Sequence, residues 1–92
     1  MSETRAHVFV SGNVQGVYDR ANTRDAAREK GVEGWVRNLN DGRVEAVFEG
    51  EEDAVKAMVK WCHKGSRRAE VEDVEVEWED AKGEFDGFDI RY

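Results

Sequence analysis

The sequence predicts an α+β sandwich assembled in the order β-α-β-β-α-β-β. Three observations predict it: two helix-like stretches that each run into a glycine, several short runs with alternating apolar residues, and Asn40-Asp41-Gly42 between two of those runs. Ninety-two residues suffice for one small domain, taken here as 1–92.

Arg5–Ser11, centred on Val8, Phe9 and Val10, reads as a buried strand. From about Asp19 to Lys30 the chain is rich in helix formers, with Ala21, Ala26, Ala27 and Arg28, and Gly31 stands where a helix-ending glycine belongs. The apolar face of this helix is thin, made of alanines and Val17, so it must lie close against a sheet. Gly34–Leu39 and Arg43–Gly50 flank Asn40-Asp41-Gly42, and Asp-Gly is a strong hairpin signal. In the second arm Val44, Ala46 and Phe48 alternate with Glu45, Val47 and Glu49, giving one strongly apolar face.

Glu51, Glu52 and Asp53 open the clearest helix, where acidic groups favour the N-terminal dipole end. Ala54, Val55, Met58, Trp61 and Cys62 form its stripe, Lys64 falls in its last turn, and Gly65 closes it. Val71–Trp78 sets Val74, Val76 and Trp78 against Glu75, Glu77 and Glu79. Phe85–Tyr92 supplies a last strand with Phe88, Ile90 and Tyr92 in phase. The whole is a ferredoxin-like α/β sandwich, β-α-β-β-α-β plus a C-terminal strand. Its sheet is mostly antiparallel and carries two helices on one face.

Net charge is −7, which opposes binding to nucleic acid or to an anionic membrane. The excess is uneven: residues 1–44 hold seven basic and six acidic side chains, whereas residues 45–92 hold seven and fifteen. An anionic substrate is therefore tolerated by the N-terminal half alone. Cys62 is the only cysteine, so no internal disulfide forms, as suits a reducing cytoplasm. Met-Ser-Glu-Thr-Arg at the start has no apolar signal region, and no run reaches membrane-spanning length.

Val14-Gln15-Gly16-Val17-Tyr18-Asp19-Arg20 joins the first strand to the first helix. A glycine-containing turn that enters a helix aims several backbone N–H groups at one spot, where helix-start donors and the dipole both favour an anion. Arg20 adds a planar fork of donors that suits phosphate oxygens. A phosphate site is the leading reading of these residues.

Other chemistry is weaker. His7 and His63 have no metal-ligand spacing with each other or with Cys62, so no metal site is expected. His63 and Lys64 sit near a helix end and interact with its dipole. Trp35, Trp61 and Trp78 fall on apolar faces and read as core, and Cys62 reads as a buried, inert thiol. The Glu75, Glu77, Glu79 ladder reads as a solvated strand face. An RNA-binding sandwich is disfavoured, because basic residues do not interleave with surface aromatics.

Taken together, Val14-Gln15-Gly16-Val17-Tyr18 with Arg20, then Gly34-Trp35-Val36-Arg37-Asn38, then Asp41-Gly42-Arg43-Val44-Glu45 resemble the acylphosphatase family over about Arg5 to Tyr92. The resemblance implies hydrolysis of carboxyl-phosphate mixed anhydrides by a positioned water, without metal or cofactor. It implies phosphate binding by Gln15, Gly16, Val17, Tyr18, Asp19 and Arg20, with Arg20 and Asn38 as catalytic residues. The partner it implies is a small acyl phosphate, with phosphate or sulfate as inhibitor. No nucleic acid or membrane partner is implied, and the chain is expected to be a cytoplasmic monomer. Asp19 stands where the family pattern has an aromatic residue, and Asn22 and Ser66 also depart from it. The alternative that Asp19 leaves open is an anion-binding or regulatory domain with weakened catalysis.

Overall fold

A computed structural model of the chain describes residues 2–13, 20–64 and 70–91. Its elements are β1 (Glu3–Asn13), α1 (Arg20–Glu29), β2 (Glu33–Asn38), β3 (Val44–Glu51), α2 (Glu52–Lys64), β4 (Glu70–Asp80) and β5 (Phe88–Ile90). The strands form one sheet in the order β4-β1-β3-β2-β5. All neighbours are antiparallel except β2 and β5, which run parallel. Helix α2 packs on β1, β3 and β4, and α1 packs on β2 and β5. The expected ferredoxin-like sandwich is present, and the added strand takes the edge beside β2.

Strand register decides which side chains enter the core. Ala6, Val8 and Val10 of β1 lie opposite Phe48, Ala46 and Val44 of β3, and these six are buried beneath the helices. Helix α2 lays Val55, Met58, Val59 and Cys62 on them at three- and four-residue spacing. Phe88 of β5 stacks on Phe48 with ring centroids 5.6 Å apart, joining the two halves of the core. Each such side chain contributes roughly 1.5–3 kcal/mol by leaving water.

Gly31 ends α1 as expected, at φ +71°. The Gly31 N–H donates to the Arg28 carbonyl at 3.1 Å and the Val32 N–H to the Ala27 carbonyl at 2.8 Å, a Schellman closure with Ala27 and Val32 both buried. The hairpin closes through Leu39 N–H to the Arg43 carbonyl at 2.8 Å and Gly42 N–H to the Leu39 carbonyl at 3.3 Å. Gly42, at φ +95°, supplies the left-handed residue of this three-residue turn.

Three expectations need correction. The last strand is Phe88–Ile90 and not Phe85–Tyr92. β4 and β5 occupy opposite edges, so residues 81–87 cross the helix-free face of the sheet before β5 begins. Gly83 and Gly87 bend that path at φ +67° and +87°, and Phe85 lies under the Arg5 guanidinium, 4.8 Å from ring centroid to charge. Glu49, on the same face, accepts from the Lys82 and Gly83 N–H groups at 2.8 and 3.0 Å and is thereby buried. Arg5 braces the crossing through Glu84, Glu79 and Glu49.

Trp78 is the second correction: it is 49% exposed, because it sits near the end of edge strand β4 with no strand beyond it. Trp35 is the third. It is buried, but on the helix-free face, where His7, Arg37 and Arg91 surround it. The Gly65 expected to close α2 lies outside the described residues.

Candidate active site

The Schellman turn reverses the chain, so α1 runs back along the sheet antiparallel to β2. A ten-residue helix is about 15 Å long and a six-residue strand about 20 Å. The start of α1 and the end of β2 therefore share one end of the sandwich. Arg20 is the first residue of α1 and is half-buried; Asn38 is the last of β2 and is exposed. Asn38 lies opposite Val44, and Val44 opposite Val10, so the exit of β1 reaches the same end. Gln15, Gly16, Val17, Tyr18 and Asp19, the rest of the expected phosphate cradle, lie outside the described residues.

Asn38 stands at the root of a stiff turn. The Asp41 carboxylate accepts from the Arg43 backbone N–H at 3.1 Å and from its Nε at 2.8 Å. Those hydrogen bonds hold the Asp41 carboxyl below its ordinary value. Arg37, Asn38, Leu39 and Asn40 line a hollow of about 350 Å³.

Arg37, which lines that hollow, also belongs to a charge network centred on a buried carboxylate. Glu45 is 6% exposed and takes Arg37 Nε at 2.6 Å on one oxygen and His7 Nε2 at 2.6 Å on the other. Burial alone would raise its carboxyl, but hydrogen bonds with His7 and Arg37 outweigh that and hold it below the ordinary value. Trp35 lies beside this network, with the Arg37 guanidinium 5.2 Å and the Arg91 guanidinium 4.8 Å from its ring centroid. The sequence reading missed Glu45, although the hairpin turn itself fixes Arg37 opposite Glu45. That register was a usable signal.

The remaining candidates behave as follows. Cys62 is free and 1% exposed, which removes it as a nucleophile. His63 places Nδ1 3.0 Å from the Val59 carbonyl in the last turns of α2, so it serves that helix end. His7, Glu77 and Glu79, however, come within 4.8 Å of one another through one ligand atom each. Linear spacing did not reveal this group, because β1 and β4 bring it together across the sheet. Arg5 already lies 3.5 Å from Glu79, and His7 is bonded to Glu45, so both groups have partners without an ion.

A helix start with an arginine is suited to a tetrahedral anion, since the dipole and the guanidinium both favour negative charge. A neutral amide at the same end can hold a water through its carbonyl and its NH₂ group. Such a pair fits transfer of a phosphoryl group to water.

Comparison with known proteins agrees with this chemistry. The family model for acylphosphatase matches residues 6–90. An acylphosphatase of Haloarcula marismortui is 66% identical over 92 residues, covering 100% of both chains. One of Haloquadratum walsbyi is 67% identical over 93 residues, covering 99% of each. The crystal structure of acylphosphatase from Bacillus subtilis superposes with a TM-score of 0.91 at 34% identity, covering 97% of this chain and 99% of that one.

Proposed function

The chain belongs to the acylphosphatase family and hydrolyses acyl phosphates, and we propose that Arg20 and Asn38 are its catalytic residues. In this reading the backbone N–H groups of Gln15, Gly16, Val17, Tyr18 and Asp19 cradle the phosphoryl oxygens. Arg20 holds the same oxygens as charge shifts during transfer. Asn38 orients a water for in-line attack. A P–O bond forms to the water oxygen and the P–O bond to the acyl oxygen breaks. The carboxylate leaves with the electron pair, and the water's proton passes to solvent. A carboxylate is a good leaving group, so the site needs charge stabilisation and placement more than acid catalysis.

The observation that carries this reading is the meeting of two separated elements. The α1 start bearing Arg20 and the β2 end bearing Asn38 occupy one end of the sheet, and both residues lie within the stretch that the family model matches. Arg20 and the helix dipole supply positive charge, which supports hydrolysis without a metal. Inorganic phosphate and sulfate should then inhibit by occupying the cradle. The reading treats residues 1–92 as one domain acting as a cytoplasmic monomer. A sole, free cysteine fits that compartment, and among the described residues no helix is long and apolar enough to cross a membrane. The acidic surface favours no nucleic-acid or anionic-membrane partner.

Asn38→Ala tests the assignment, assayed on acetyl phosphate with a chelator present throughout. Turnover should fall by about 10²–10³, as when a positioned polar group is lost, while inhibition by phosphate is nearly retained. Lost phosphate inhibition with normal turnover at saturation would move Asn38 to substrate holding. Activity that needs a divalent ion restored to the parent would overturn the metal-free reading.

A further inference from the structure

We propose that the outer face of α2 docks an acidic amphipathic helix of a partner protein. Its apolar anchors sit beside Trp61 and Trp78, and its carboxylates meet Lys30 and Lys60.

Two hollows open to solvent adjoin on that face. One, of about 550 Å³, is lined by Lys30, Ala57, Lys60, Trp61 and His63. The other, of about 380 Å³, is lined by Lys56, Val59, Lys60, His63 and Trp78. Lys60 and His63 border both, so one surface runs from the residue after α1, across α2, to edge strand β4. Trp78 is the one large apolar side chain left exposed among the described residues. Trp61 is half-buried against the core and still borders the first hollow. A lone exposed indole needs no explanation, but two beside adjoining hollows form the kind of surface that partners cover.

Charge selects the partner. Acidic residues number 21 of 92, yet no carboxylate lines either hollow and three lysines do. Lys56 is paired with Glu52 at 2.7 Å, whereas Lys30 and Lys60 make no ion pair among the described residues. An acidic segment supplies the missing counter-charges. A second copy of this chain, or an anionic membrane, brings a broad negative surface that the net charge of −7 repels. A short helix brings only its own carboxylates, and charge beyond about 10 Å is largely screened at 0.1 M salt.

Spacing favours a helix over an extended strand. The hollows lie on opposite flanks of α2, one bordered by Lys30 and the other by Trp78 of β4. A helix with its side chains is roughly 10–12 Å across. Anchors at i and i+7 of a docked helix project from one side about 10 Å apart, which matches that width.

The probe is a labelled, side-chain-stapled peptide of about fifteen residues. It carries leucine at i, i+4 and i+7 and glutamate on its other faces, and a counterpart has lysine for every glutamate. Fluorescence anisotropy with the full chain should show binding of the acidic peptide alone, weakening as salt is raised. Lys30→Glu/Lys60→Glu should weaken that binding about tenfold or more and turn the preference to the basic peptide, since like charges then face each other. A reversed preference cannot come from a damaged fold. Trp78→Ser should weaken binding several-fold with the preference unchanged. Acetyl phosphate hydrolysis should stay at the parent's rate in both variants, because neither touches Arg20 or Asn38. The proposal is overturned if the parent binds neither peptide or both alike, or if the double variant keeps the parent's preference. Self-association of the chain that the double variant abolishes would hand the face to a second copy and overturn it too. So would retention on vesicles of anionic phospholipid in place of peptide binding.

Discussion

Glu45 ties together three strands on the helix-free face, where β3 meets β1 and β2. Its two oxygens join β1 through His7 and β2 through Arg37. The carboxyl is held below its ordinary value of 4.5, so the ionised form is favoured in the folded state. Its stabilisation is fully present above that ordinary value and is lost as pH falls through the lowered native one. Glu45→Gln should therefore cost about 1–3 kcal/mol at pH 7, measured by urea unfolding, and the gap from the parent should narrow at strongly acidic pH. An equal gap at both pH values would show that the carboxylate charge contributes nothing. Alternation along Val44–Gly50 made Glu45 look like an ordinary outward residue. Its burial comes from residues far along the chain, and a single-strand pattern carries no record of them.

At the scale of elements, glycines mark where the chain must turn or approach closely. Gly31 has a left-handed backbone with open space where a Cβ would stand, so Gly31→Ala should cost only about 1–2 kcal/mol. Gly34 is different: a Cβ there would lie 1.9 Å from the Val47 carbonyl oxygen, at φ +135°. Gly34→Ala must shift backbone in the middle of the β2–β3 pair and should cost more than about 3 kcal/mol. Denaturant midpoints for the two variants check the order, and equal losses would contradict it. The strands and helices themselves were legible from periodicity. Those signals are local: Gly31 after Arg28, the Asn40-Asp41-Gly42 turn, and the stripe from Val55 to Cys62. The short β5 and the exposed Trp78 were not legible, because both follow from which strand occupies which edge. Edge order is set by packing between distant elements.

For the whole molecule, the proposed mechanism depends on the fold bringing the start of α1 to the end of β2. Neither element alone indicates that Arg20 and Asn38 belong together; the motif resemblance did, and the antiparallel return after Gly31 gives the physical reason. The charge distribution is consistent with the site's location. The start of α1, with Arg20, belongs to the N-terminal half, while the acidic excess lies in the C-terminal half. The hairpin register alone pairs Arg37 with Glu45, whereas the part His7 plays in that network needed the assembled sheet. The central claim, that this chain hydrolyses acyl phosphates with Arg20 holding the phosphoryl group, is tested most directly by Arg20→Ala. Steady-state hydrolysis of acetyl phosphate should lose about 10³-fold or more in kcat/KM, with inhibition by phosphate weakened and the unfolding midpoint near that of the parent. A folded Arg20→Ala protein with the parent's kinetics and phosphate inhibition would contradict the account.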